Sequence, residues 1–333
     1  MNRRVALLTV LVATVLAAPA LEAYLKLGFR VGDRVVSLRW DRQPIRYFIT
    51  NRDVAGVSAT QLQSTIGRAF ERWSSIAEVT LAAEFAGFTN AEPFVDDNLN
   101  VIGFRSRPDL DRTLGAATFN VDSVTGEVLE ADIFFNTTFP WSVAAGGEPS
   151  KFDVESIGVH EIGHLLGLGH SALGETELVD TDRRRVIAKR AVMFPIAYPA
   201  GNIEDRTPEA DDIAGISDLY GTAGFDARTG AISGKVTMNG AGVFGAHITA
   251  FNPSTGETIG TFALSQQGDF VLSGLTPGLH VVRVEPLDDG DLDSFFDEDT
   301  TVNINFKPAY HAKLVAVPAG GSGKAIEIKV QAK

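Results

Sequence analysis

Apolar positions change their period along this chain, and each change predicts an element. Ile45-Arg46-Tyr47-Phe48-Ile49-Thr50 is rich in aromatic and β-branched residues and predicts a strand. Leu62, Ile66, Phe70 and Trp73 then recur at helical spacing, and Ser58 with Gln61 supplies a capping box ahead of them, so a helix follows with these aromatics in its core-facing stripe. Short strands are expected around Val79 to Phe85, Asn100 to Phe104, Leu114 to Val121 and Val128 to Phe135, with Asp122 to Gly126 as the turn between the last two. A second helix starts at Asp153, a plausible N-cap, and places Val159, Ile162 and Leu166 on one apolar face. Thr207-Pro208-Glu209 reads as the start of a third, with threonine as N-cap and proline at the first helical position.

From Gly221 to Gly230 glycine, small and polar residues interrupt the apolar pattern and mark a boundary. Beyond it the period is that of strands: Ile232 to Met238, an Asn239-Gly240 turn, His247 to Phe251, a Pro253 to Gly256 turn, Thr258 to Leu264, Phe270 to Leu272 and His280 to Val284. The fold class is therefore an α+β domain, a mixed twisted sheet with three main helices, followed by a small all-β sandwich. The expected segments are 1–23 as a signal peptide, 24–221 as the first domain, 222–230 as a linker and 231–333 as the β-sandwich domain.

Asn2-Arg3-Arg4 and the apolar run Val5 to Leu16 form the n- and h-regions of an export signal, with Ala18-Pro19-Ala20 or Leu21-Glu22-Ala23 as the cleavage site. The run is short for a membrane span, so no stable insertion is expected once the signal is removed, and the mature chain is expected to be secreted or periplasmic. A formal charge of −13 and a pI near 4.9 disfavour nucleic acid and anionic membranes as partners. The 333 residues contain no cysteine, which removes disulfides, thiolate ligands and thiol nucleophiles.

The chemistry concentrates in His160-Glu161-Ile162-Gly163-His164-Leu165-Leu166-Gly167-Leu168-Gly169-His170-Ser171, which holds half of the six histidines. On a helix, His160 and His164 lie one turn apart on one face, both able to reach one cation. Gly167 falls where the helix must stop and can take φ > 0, turning His170 back toward the metal. Three neutral imidazoles and one water give the open tetrahedral arrangement of catalytic zinc. Two histidines and a glutamate alone are a weak signal. The third histidine, the intervening glycine and Met193 in Ala191-Val192-Met193-Phe194-Pro195 make it specific.

His160 to Ser171 followed by Val192-Met193-Phe194-Pro195 resembles the metzincin clan of zinc endopeptidases, and the serine after the third histidine is similar to the matrixin branch. The resemblance covers roughly Gly32 to Gly221. It includes Glu130-Ala131-Asp132-Ile133-Phe134-Phe135-Asn136 upstream and Asp211-Asp212-Ile213-Ala214-Gly215-Ile216 with Leu219-Tyr220-Gly221 downstream. It implies one catalytic zinc held by His160, His164 and His170, Glu161 as general base, and Met193 in a hydrophobic turn beneath the metal, with a protein or peptide as substrate. Leu114 to Phe119 is a candidate edge strand to which an extended substrate could add, with an ordinary internal strand as an equal alternative, and Pro195 to Tyr198 matches the segment that walls the pocket beyond the cleaved bond in matrixins. No substrate-binding side chain and no oligomeric state are assigned. Two family features have no counterpart here: a pro-segment cysteine, and histidines upstream of the site for a second, structural zinc, since the first histidine is His160. Calcium (Ca2+) around Asp122 to Asp132 is compatible with the carboxylates there but rests on no specific spacing.

Gly268-Asp269-Phe270 through Gly274-Leu275-Thr276-Pro277-Gly278 resembles the carboxypeptidase regulatory-like (transthyretin-like) domains, more often structural or binding appendages than enzymes. Asp289, Asp291 and Asp293 alternate as in an EF-hand loop, yet Ser294 and Thr300 stand where its glycine and glutamate belong, so a solvated acidic loop is favoured. The segment containing Asp182-Arg183-Arg184-Arg185 and Lys189-Arg190 carries a basic cluster that reads as a solvated loop or short helix in preference to a patch attracting acidic substrates or a self-cleavage site. His247 and His280 read as satisfied sheet histidines, and Asp211 and Asp212 as structural anchors under the site. The leading functional reading is an exported zinc-dependent endopeptidase. The alternative is a surface-binding or adhesion protein with an inactive protease-like domain.

Overall fold

The computed structural model describes residues 6–8, 26–32, 34–54, 56–179, 184–287, 290, 292–296 and 300–333. The expected signal peptide therefore lies outside the described residues except for Ala6–Leu8, as do Asp182, Arg183, Asp289 and Asp291. The chain forms two compact units, one built from residues 1–12, 36–167 and 197–208, the other from 13–35, 168–196 and 209–333.

The first unit holds a six-stranded mixed sheet. Its strands are β1 (Ala6–Leu8), β2 (Ile45–Thr50), β3 (Ala83–Thr89), β4 (Val101–Arg105), β5 (Gly115–Val121) and β6 (Val128–Asn136), in the order β1-β5-β6-β4-β2-β3. Strands β3, β2, β4 and β6 run parallel, whereas β5 returns antiparallel to β6. The turn before β6 forms as expected, with the Asp122 carboxylate accepting the N–H groups of Val124 and Thr125.

Helix α1 (Ala59–Ser74) packs on this sheet and begins with both reciprocal bonds of the Ser58–Gln61 box. It buries Leu62, Ile66, Phe70 and Trp73, the stripe read from the sequence. Helix α2 (Val154–Leu165) lies against α1, and Gly158 permits the approach: a methyl there would come within 3.3 Å of Ile66 Cδ1.

One strand is displaced from its expected position. Residues after α1 are spent on turns, with Val79 N–H donating to the Ile76 carbonyl and Glu78 at φ 65, so parallel pairing with β2 starts only at Ala83, opposite Ile45.

In the second unit, the described part of the basic segment, Arg184–Lys189, is neither a loop nor a helix. Arg184–Lys189 forms a hairpin with Gly174–Leu178, because Val186 is buried while its neighbours Arg185 and Ile187 face solvent, a period of two. Helix α3 (Ala210–Tyr220) starts later than Thr207 suggests, with Glu209 as N-cap, because the Asp212 carboxylate reaches back to the Glu209 N–H at 2.8 Å. The boundary segment carries a short helix, α4 (Ala223–Arg228).

Beyond it two five-stranded sheets share one core that joins Ile232, Val236 and Phe270 to Ile248, Val282 and Val284. Strands Phe306–Lys307, Ala309–Tyr310, Val315–Val317 and Ile326–Ala332 extend these sheets beyond the last strand read from the sequence. His247 and His280 are buried in strands, but each keeps one ring nitrogen without a hydrogen-bond partner among the described residues, so they are not fully satisfied.

Candidate metal centre

Helix α2 carries the first two histidines, and polar bonds along its length set its position. At its start Asp153 accepts the Ser156 N–H and hydroxyl, both at 2.8 Å, and a two-pronged Arg206 at 2.8 and 2.7 Å. Glu155, in the first turn, is held by Arg68 and Arg72 from α1. Two indoles read the helix backbone, Trp73 donating to the Val159 carbonyl and Trp40 to the Leu165 carbonyl, each at 2.9 Å. Rotation or sliding of α2 would break several of these bonds together.

On the helix so held, the Nε2 atoms of His160 and His164 stand 3.1 Å apart with their rings at 87°. Two nitrogens each about 2.0–2.1 Å from one tetrahedral ion would stand roughly 3.3 Å apart, so this pair is spaced as co-ligands are. Gly167 takes φ 101, as the sequence reading requires, and the chain turns directly after the helix. The ligand atoms of His160, His164 and His170 all lie within 4.8 Å of one another, the one group of this kind among the described residues.

His170 is buried, and burial pushes its pKa down to about 4, which keeps the ring neutral. Its Nδ1 lies 2.6 Å from the Ser294 carbonyl. A carbonyl only accepts, so Nδ1 carries the proton and the lone pair of the neutral ring sits on Nε2. A nitrogen-only donor set of neutral imidazoles, two of them on one helical face, suits zinc.

Glu161 is 5 % exposed, and its Oε2 has no hydrogen-bond partner among the described residues. Burial alone pushes its carboxyl up to about 8. A buried carboxyl with an orphaned oxygen, next in sequence to His160, is costly for the fold and fits a group that acts on a bound species. The site also needs Gly115 of β5, which sequence reasoning missed: a methyl there would come within 3.0 Å of both Glu161 Oε1 and the Phe134 carbonyl oxygen.

The remaining predicted residues fall around His170. Met193 is buried in a turn whose N–H groups are captured by Asp212, from Val192 at 2.8 Å and from Met193 at 3.1 Å. The Met193 carbonyl accepts the Ser171 N–H. Asp211 accepts the Ser171 hydroxyl at 2.6 Å and the Gly260 N–H at 2.8 Å. Burial raises both carboxyls, Asp211 to about 7 and Asp212 to about 6. They are structural anchors, the role expected of them.

Two carboxylates between Asp122 and Asp132 accept backbone N–H groups. Asp132 accepts N–H groups from Phe94, Val95 and Val101, and Glu130 those of Asp97 and Asn98. Ser294 and Phe295 are the other residues missed. Within an acidic run the sequence drew attention to the aspartates, while the Ser-Phe-Phe step was the signal available.

A family model described as Matrixin matches residues 39–221. Metalloendoproteinase 1-MMP of Arabidopsis thaliana is 27% identical over 198 residues, covering 55% of this chain and 44% of that protein. Metalloendoproteinase 1 of Glycine max is 30% identical over 178 residues, covering 48% of this chain and 45% of that protein. Matrilysin of Rattus norvegicus is 34% identical over 96 residues, 29% of each chain. The match thus spans about half the length of the plant relatives.

Proposed function

The chain belongs to the matrixin family, and on that premise we propose that it is an exported zinc-dependent endopeptidase in which His160, His164 and His170 hold the metal and Glu161 is the general base. The observation that carries this reading is the buried Glu161 carboxylate, with one oxygen lacking a hydrogen-bond partner among the described residues, next to a histidine pair spaced as co-ligands.

What zinc supplies when bound is a water acidified toward a pKa of about 7 and Lewis-acid polarisation of the scissile carbonyl. Glu161 takes the proton of the attacking water and returns it to the leaving amine, and its position over Gly115 leaves its carboxylate room to do both. Met193, held by Asp212, packs as the apolar turn beneath the metal. His170, held neutral by burial and with its proton fixed on Nδ1 by the Ser294 carbonyl, keeps a nitrogen lone pair for the cation.

An extended peptide pairs with β5 by strand addition. That strand bonds β6 along its length, and on its other side pairs with Ala6–Leu8 only opposite Phe119–Val121. Signal removal takes Ala6–Leu8 away from this edge. Pro195 to Tyr198 walls the adjoining pocket. The β-rich region beyond Gly230 is a carboxypeptidase regulatory-like sandwich joined to the protease domain.

The test is Glu161→Ala in the mature protein, assayed by metal analysis and by cleavage of a diverse peptide library with and without chelator. One bound zinc with cleavage reduced by about 10²–10⁴-fold is the expected result. Undiminished cleavage overturns the assignment of the base. Wild-type protein that binds zinc and cleaves nothing favours the adhesion reading.

A further inference from the structure

We propose that the β-rich C-terminal region is a working part of the metal centre, in which the Ser294 carbonyl and the Phe295 ring hold His170 in the tautomer and orientation that ligate zinc. The inference rests on the reading of His170 as a ligand, and it makes Phe295 a positioning residue.

Metal-bound histidines commonly donate their second ring N–H to a carbonyl or carboxylate, and that partner sets both tautomer and ring angle. For His170 the partner lies 124 residues further along the chain. The Ser294 carbonyl ends a short 3₁₀ turn, Leu292–Ser294, that is closed by the N–H groups of Phe295 and Phe296 donating to the Leu292 carbonyl at 3.0 and 2.9 Å. The turn is anchored by its aromatics. Phe295 is fully buried, with its ring 6.2 Å from the His170 ring at 72° and 5.8 Å from Phe262. Phe296 packs on Phe262 and Phe244, and the same apolar cluster takes in Ala172, two positions past the histidine.

A second tie acts on the next residue. The Asp211 carboxylate is shared between the Ser171 hydroxyl and the N–H of Gly260, which lies in the strand Thr258–Phe262. A region that served only as a tether would have no reason to place a carbonyl, an aromatic edge and a backbone N–H around one histidine and its neighbour. Here all three converge.

The experiment compares zinc affinity by chelator competition in the full mature protein for wild type, Phe295→Ala, Phe295→Leu, Leu272→Ala and His170→Ala. Leu272 is buried in the same region's core and belongs to the cluster that excludes His170 and Phe295, so its truncation controls for lost stability alone. Phe295→Ala is expected to weaken zinc binding by about 10–100-fold. Phe295→Leu should recover most of that loss by restoring the apolar anchor, and Leu272→Ala should leave affinity at the wild-type value.

Nitrogen NMR of the metal-free protein should report the Nδ1–H tautomer of His170 in wild type and a mixture in Phe295→Ala. Unchanged affinity in a folded Phe295→Ala, or equal losses in Phe295→Ala and Leu272→Ala, overturns the proposal. If Phe295→Ala does not fold, Phe295→Leu decides by the same measurements: a residual loss of affinity or a partly mixed tautomer signal that Leu272→Ala does not show supports the proposal, and behaviour identical to wild type overturns it. Zinc bound as tightly by His170→Ala as by wild type overturns the underlying ligand assignment instead.

Discussion

Gly115 and Glu161 share a space that admits no side chain at position 115: a methyl there would lie 3.0 Å from the glutamate Oε1 and equally close to the Phe134 carbonyl oxygen. The strand cannot retreat, because β5 is bonded to β6 on its far side, so the carboxylate must give way by a few tenths of an ångström. Gly115→Ala should therefore keep zinc and fold while peptide hydrolysis falls on the order of tenfold, since small displacements of a catalytic group are expensive. Side-by-side metal analysis and hydrolysis rates check this, and an unimpaired rate would remove Gly115 from the site.

Asp212 offers two oxygens to three backbone donors, the N–H groups of Val192, Met193 and Glu209. Asp212→Ala removes this acceptor from the two buried donors, Val192 and Met193, with a cost of about 2 kcal/mol or more. Urea unfolding of the metal-free protein should show it. A loss below about 1 kcal/mol would mean that the methionine turn holds itself.

The neighbouring Asp211 gives a pH dependence with a definite sign. Burial raises its carboxyl from 3.8 to about 7. Between those values the folded chain retains a proton that the unfolded chain has released, so stability falls as pH rises through the window, by at most about 1.4 kcal/mol per unit. Asn does not titrate, and it can accept from Gly260 while donating to Ser171 Oγ. Urea midpoints of metal-free Asp211→Asn, measured from pH 4 to pH 7.5, should decline less than those of wild type. Parallel curves would contradict the shift.

Zinc removal should lower thermal stability, because an ion that binds only the folded chain stabilises it by about 2.7 kcal/mol at a hundredfold excess over its Kd. Melting with and without chelator measures the difference, and it should vanish in His164→Ala.

Much of the site could be read from the sequence because its determinants are local. The Ser58 and Asp153 caps, the four-residue step from His160 to His164, and the left-handed Gly167 each depend on residues within a turn or two. Features set by distant segments were not legible. A lone glycine in a strand pattern says nothing of the glutamate it will face, so Gly115 carried no signal. Ser294 contributes a backbone carbonyl, which every residue has, and only the folding of the region around it brings that oxygen to His170. The delayed start of β3 has the same origin, since residues 79–82 are strand-like in composition but are consumed by the turn leaving α1.

The strand Ile326–Ala332 pairs in parallel with Gly230–Met238, and one sheet of the region that reaches His170 is finished only when it is in place. A ribosome adding about 5–20 residues per second completes the three histidines many seconds before this last strand exists. Through that interval, and through any export of an unfolded chain, the third histidine is without the carbonyl that orients it. The order of synthesis thus works as a timer, delaying the finished surroundings of His170 until residues 326–332 have been made.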